Sequence, residues 1–184
     1  MRGCLLLFAL GVVTACGQQS TTPGTTVEFI DLPSDQLAEG VVHRMTNDGV
    51  LSALMHSDTA YIYETTQSMD LRGVNVSFRD ERGAEAGVLT SAAGDYNMSI
   101  NLFIARGDVV LVTPGASGER RLETEELYYD IAAGRLWTDV PFTMTEADGR
   151  VTRGTSFRTD ATFTTWDVSG VEGQGSPGAA GLSF

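Results

Sequence analysis

Cysteine is nearly missing from this chain: Cys4 and Cys16 are the only two in 184 residues, too few for a disulfide framework or a thiolate metal site. Histidine is equally scarce. His43 and His56 fall on neighbouring strand-like stretches with no metal-spaced partner, and they read as surface or edge residues. Glu123, Glu125 and Glu126 read as a solvated strand face, and Asp58, Asp139 and Asp160 as residues that each close a strand. With no nucleophile, metal or acid–base spacing in view, the chain is read as non-enzymatic and without a cofactor. Lysine is wholly absent, all twelve basic residues being arginine, against 24 acidic residues. A net charge of −12 repels phosphate backbones, which argues against nucleic acid as a partner.

No apolar run reaches the roughly 20 residues that a membrane-spanning helix needs. The longest such stretch, Cys4 to Val13, follows Arg2 and ends in Val13-Thr14-Ala15-Cys16, a lipobox. The expectation is that residues 1–15 are a lipoprotein signal peptide and that Cys16 becomes the acylated N-terminus. Cleavage would remove Arg2 and Cys4, take the net charge to −13 and leave Cys16 as the only cysteine. Residues 16–26 carry Gln, Ser, Thr, Gly and Pro and no apolar residue beyond Cys16, as a flexible tether of about 17 Å would. Residues 27–168 form the predicted folded domain, and the glycine-rich residues 169–184 a mobile tail.

Two motif matches carry nothing. Gly173-Gln174-Gly175-Ser176-Pro177-Gly178 fits a dinucleotide-binding pattern but sits in the tail, with Pro177 inside it and no helix after it. Asn75-Val76-Ser77 and Asn97-Met98-Ser99 fit the glycosylation sequon but fall mid-strand in a lipoprotein of bacterial type.

What the chain does have is a period of two. Tyr96, Met98, Ile100, Leu102 and Ile104 alternate with Asn97, Ser99, Asn101 and Phe103, which predicts one long half-buried strand. Val74, Val76 and Phe78 alternate likewise, as do Phe142 and Met144. Turn signals recur at Asn47-Asp48-Gly49, Glu81-Arg82-Gly83, Ala93-Gly94-Asp95, Arg106-Gly107-Asp108, Pro114-Gly115, Ala133-Gly134 and Asp148-Gly149. Trp137 and Trp166 lack the flanking cysteines of an immunoglobulin core. The predicted class is all-β: an antiparallel meander of strands of similar length, forming a curled or V-shaped, β-jellyroll-like sheet around an apolar trough.

The order of these segments resembles the LptC family of lipopolysaccharide export and its wider LptA/OstA-like fold. The resemblance is carried by residues 44–53 (Arg44-Met45-Thr46-Asn47-Asp48-Gly49-Val50-Leu51-Ser52-Ala53), 58–63 (Asp58-Thr59-Ala60-Tyr61-Ile62-Tyr63) and 74–83 (Val74-Asn75-Val76-Ser77-Phe78-Arg79-Asp80-Glu81-Arg82-Gly83). It continues through 89–94, 105–111, 122–130, 138–142 and 149–154. The chain departs from the family in having a lipobox where better-known members have a transmembrane helix, Gly17 after the lipidated cysteine, Asp108 in place of an Asn, and the glycine-rich tail.

The resemblance implies a non-enzymatic lipid conduit in the periplasm. It would be held by acylated Cys16 in a membrane, the inner one favoured, and would take lipopolysaccharide from inner-membrane transporter subunits to an LptA-like bridge protein. The candidate lipid-contacting residues are Val74, Val76, Phe78, Tyr96, Met98, Ile100, Leu102, Val109, Leu111, Phe142 and Met144. Alternation shows which of them share a face, not which face points inward. The competing reading is an envelope scaffold or assembly lipoprotein of β-sandwich type, whose apolar face is only packed core.

Overall fold

A computed structural model describes residues 34–116 and 118–175 of the chain. The expected leader, Cys16 anchor and tether, and the end of the expected tail, lie outside the described residues.

Twelve antiparallel strands and no helix make up the described part. Six long ones come first: β1 (Gln36–Asn47), β2 (Val50–Tyr63), β3 (Ser68–Arg79), β4 (Glu85–Asn97), β5 (Leu102–Gly115) and β6 (Gly118–Asp130). Each pairs with the next, as the meander reading expects. Six short ones follow: β7 (Arg135–Thr138), β8 (Phe142–Glu146), β9 (Val151–Gly154), β10 (Ser156–Asp160), β11 (Trp166–Ser169) and β12 (Glu172–Gly175). Here the expectation of equal strands in simple succession fails. β6 pairs β7 through Tyr128–Asp130 and β8 through Arg120–Thr124, so the sheet divides into β7-β10-β11 and β8-β9-β12. β12, drawn from the glycine-rich stretch expected to be a tail, pairs with β9.

The hairpin turns show why some strand ends were legible and others not. Asp48 and Gly49, with φ of 50° and 81°, form a two-residue connection of the type whose twist suits a hairpin. The four-residue turns after β2 and β4 carry no glycine; Gln67 and Asn101 take the left-handed position, with φ of 49° and 53°. The Asn97 side-chain carbonyl accepts from the amides of Ser99 and Ile100, closing the second of these turns. The strand predicted from Tyr96 to Ile104 is therefore a hairpin, β4 ending at Asn97 and β5 beginning at Leu102. Ala93-Gly94-Asp95 and Arg106-Gly107-Asp108, predicted as turns, lie inside β4 and β5. Asp58, predicted to close a strand, lies inside β2.

A crease crosses all six long strands in register. The ladder pairing lapses at Gly40, Asp58, Gly73, Ala92, Gly107-Asp108 and Glu125, which lie opposite one another. On the odd strands the crease is a glycine at positive φ: Gly40 (61°), Gly73 (61°) and Gly107 (71°). On the even strands it is a buried hydroxyl that bonds the carbonyl two residues on. Ser57 donates to Thr59 O at 2.7 Å, Ser91 to Ala93 O at 2.8 Å and Thr124 to Glu126 O at 3.4 Å. Each hydroxyl thus spans the break and ties to the residue at which pairing resumes.

In five of the six strands the crease also switches which alternate residues point inward. In β3 the buried set is Met69 and Leu71 before Gly73, then Val74, Val76 and Phe78 after it. In β4 it changes from Leu89 and Ser91 to Gly94 and Tyr96. Because side chains alternate with period two, a one-residue slip would otherwise send half of each strand's apolar set to water. The switch keeps both halves of the folded sheet facing one interior.

A candidate lipid-binding interior

The inner faces of the two halves meet in one apolar cluster. Phe78, from beyond the crease in β3, packs edge-on against Tyr129 of β6 with ring centroids 5.2 Å apart, and against Phe163 at 5.3 Å. Phe103, Leu71, Leu89, Leu111, Leu122 and Phe157 fill the space around them, each almost fully buried. Burial of a large apolar side chain contributes about 2 kcal/mol, so this cluster is the main stabilising element of the domain.

Among the described residues, the buried polar side chains are all Ser or Thr apart from the Tyr hydroxyls, and none is charged. Burial holds the His43 imidazole below its ordinary pKa and raises the phenols of Tyr96 and Tyr129, so these groups are neutral at pH 7. His43 leans inward on the Tyr96 ring at 4.9 Å, whereas His56 is exposed on the opposite face of the next strand. The two histidines share no site. The buried Tyr129 hydroxyl has no hydrogen-bond partner among the described residues, and the neighbouring Ser52 hydroxyl donates to Met45 O at 3.0 Å. The buried interior is therefore apolar and neutral, with hydroxyls as its only polar side-chain groups among the fully buried described residues.

Most of the charge lies on the outer face. The exception is Arg120 with Glu146, 2.7 Å apart and mostly buried, which share the inward-facing alternation of Leu122 and Met144, with the guanidinium over the Trp166 ring at 4.6 Å. Arg106 bridges Asp95 at 2.7 Å and also meets Glu126, and Arg121 pairs with Glu123 at 2.9 Å. Such exposed pairs contribute about 0–1 kcal/mol and mainly keep the convex side wetted. Glu123 and Glu125 lie on that solvated face as expected; Glu126, past the crease, is half-buried.

The candidate residues distribute unevenly over this architecture. Val74, Val76, Phe78, Tyr96, Val109, Leu111 and Phe142 lie within the cluster, and Met98 and Met144 pack half-buried against it. Ile100 does not join them: it sits in the β4–β5 turn and is 62% exposed. Leu102 is on the outer face, half-exposed, because the turn resets the alternation so that Phe103 and Ala105 point inward. Sequence reasoning missed Phe103, placed on the wrong face, and Phe163, which lies in a loop of threonines. The signal for Phe103 was Gly94, where a Cβ would come within 2.8 Å of the Phe103 ring.

The described residues thus form an open all-β antiparallel sheet folded along a crease around a largely apolar interior. The sequence matches the profile of the LptC-related lipopolysaccharide-assembly family over residues 4–169, and the chain belongs to that family. It is thus a non-enzymatic protein of lipopolysaccharide transport, acting in the periplasm. No curated protein matches it. Among solved structures it is similar to LptH of Pseudomonas aeruginosa, described as the LptA-homologous periplasmic component of the conserved lipopolysaccharide transport device. The two are 11% identical, with 72% of this chain and 89% of that one covered and a TM-score of 0.49.

Proposed function

We propose that the domain is a conduit that receives lipopolysaccharide from inner-membrane transporter subunits and passes it to an LptA-like bridge protein. In this reading acylated Cys16 holds it to the membrane, the inner one favoured. The observation that supports the conduit is the single, largely apolar interior shared by both halves of an open sheet, in which β1, β11 and β12 each have one edge unpaired among the described residues. Acyl chains would enter by parting the two faces, at roughly 0.8 kcal/mol gained per methylene buried, while sugars and phosphates stay in water. Val74, Val76, Phe78, Tyr96, Met98, Val109, Leu111, Phe142 and Met144 are the residues proposed to touch those chains. Docking would use backbone pairing at the free edges.

One observation favours the competing scaffold reading: the interior is already packed, with Phe78, Phe103 and Tyr129 fully buried. Photo-cross-linking amino acids separate the two. Placed at Phe78, Met98 and Phe142 they are expected to capture lipopolysaccharide in cells, and at Asn97 and Thr143, on the outer face, they are not. Capture confined to the outer positions would leave the scaffold reading standing. Mass spectrometry of the purified chain, with Cys16→Ala as control, tests the acyl anchor separately.

A further inference from the structure

Tyr128, Trp137 and Arg158 stand directly opposite one another on β6, β7 and β10. All three point away from the apolar cluster, alternating with Tyr129, Leu136 and Phe157 on its inner side. The Tyr128 and Trp137 rings are stacked, with 5.2 Å between centroids and 10° between planes. On the β10 side of Trp137 lies a shallow cleft of about 140 Å³, lined by Arg135, Leu136, Trp137, Arg158 and Thr159. Arg135, Trp137 and Arg158 are its outward side chains, which puts it on the outer face. A cavity of about 150 Å³ takes a six-membered ring such as benzene, so this cleft is the size of one ring.

The aromatic platform is held from the side. The Tyr128 phenol is hydrogen-bonded to the Glu126 carboxylate, which raises it above its ordinary pKa. Glu126 in turn meets Arg106, and Arg106 bridges Asp95 at 2.7 Å. At the rim of the cleft Arg158 pairs with Asp139 at 3.2 Å, and Arg135 faces Asp130 at 3.9 Å; none of these four is buried. Each cation thus already has its counter-charge, so a free anion gains little here. A hydroxyl, which both donates and accepts, can use guanidinium and carboxylate together. The Trp137 ring adds a flat apolar face beside them. An uncharged polyol with one apolar face is the complementary chemistry.

The geometry points to a saccharide-binding slot between Trp137 and Arg158, in which a pyranose ring lays its C–H face on the indole and turns its hydroxyls to the Arg158–Asp139 and Arg135–Asp130 pairs. The sugar is the saccharide part of lipopolysaccharide, the cargo of the family. The slot lies one strand in from the unpaired edge of β11, so a glycan leaving the interior by that edge crosses a single strand, about 5 Å wide. For the source of the sugar, though not for the slot itself, the inference rests on the conduit reading.

The test uses the full-length chain in detergent micelles and, as probe, a core oligosaccharide stripped of acyl chains and phosphates. Saturation-transfer NMR is expected to show binding, strongest at ring C–H protons. In a Trp166→Phe background, which leaves Trp137 as the only tryptophan, the emission should shift to the blue on titration. Trp137→Leu and Arg158→Ala are each expected to weaken binding about tenfold, and Arg121→Ala, on the outer face beyond the crease, to stay within about twofold. Thermal midpoints are recorded alongside; should Trp137→Leu fail to fold, the exposed Arg158→Ala carries the test. Unchanged affinity in both variants, or displacement of the oligosaccharide by inorganic phosphate, overturns the slot. So does absence of binding by the parent, and the conduit reading then stands if a cross-linker at Phe78 still captures intact lipopolysaccharide. Oligosaccharide binding that depends on Trp137 and Arg158 without capture at Phe78 keeps the slot and removes the conduit.

Discussion

The long strands β1–β6 and the short strands β7–β12 solve different problems. The first six repeat one device, a crease that alternates glycine and hydroxyl, and so build a folded sheet from strands of 12 to 14 residues. The last six, of four or five residues, repeat nothing. They split from β6 and bring Phe142, Phe157, Phe163 and Trp166 over the open side of the sheet, in a chain of aromatic contacts from 5.5 to 6.2 Å. The contrast teaches that the concave surface and its closure are separate parts, joined by the ladders of β6 with β7 and β8 and, in the interior, by Phe78, which touches Phe163 as well as Tyr129.

That junction yields the largest expected effect. Phe78→Ala removes a fully buried ring shared by both regions and is expected to cost about 3–5 kcal/mol, measured by urea denaturation. If the two regions stabilise one another, unfolding stays a single transition; a second transition would show that the closure folds on its own.

Next comes the crease. Gly73→Ala is expected to cost about 2–3 kcal/mol, because the new methyl meets both a positive φ and the Asp58 carboxylate, whose oxygen would lie 2.0 Å away. Gly134→Ala, in the β6–β7 turn, has a similar φ of 60° and no atom within 4 Å, so about 1 kcal/mol is expected there. Denaturation midpoints of the two variants would compare the crease with the closing region directly. Equal losses would show that backbone strain alone, not the Asp58 contact, makes the crease intolerant.

The smallest effect is acidic and local. Burial would raise the Asp160 pKa, but the bonds from Thr162, Thr165 and Thr164 outweigh it and hold the carboxyl well below its ordinary range. A depressed folded-state pKa stabilises above the unfolded value and is lost as pH falls toward the folded one. The closing loop is therefore expected to loosen below about pH 4, where an unperturbed Asp would protonate. Trp166 fluorescence in a Trp137→Phe background follows the loop, and Asp160→Asn should remove the pH dependence.

Most strands were legible because alternation survives within each half of the sheet. What failed failed for identifiable reasons. Met98 and Ile100 continued the spacing of Tyr96 across a turn by coincidence, and Asn101 supplied the left-handed residue where glycine was sought. The glycines at 94 and 107 were real signals with other causes: Gly94 makes room for the Phe103 ring and Gly107 forms the crease. Phe163 was invisible because its place depends on the Asp160 hydrogen bonds, a tertiary arrangement that no period announces. The cluster around Val74, Val76 and Phe78 was legible because those three lie wholly on one side of Gly73.

The crease also acts as a phase rule for anything that lengthens the sheet. A strand added along the edge of β1 that is unpaired among the described residues keeps its apolar residues inward on both sides only if its own alternation shifts by one residue opposite Gly40. A chain without that shift could match one half of the edge and would then turn its apolar residues to water along the other. Extension of the concave surface thus selects for partners with a break in pattern at a set distance along the strand, a criterion of timing rather than of side-chain identity.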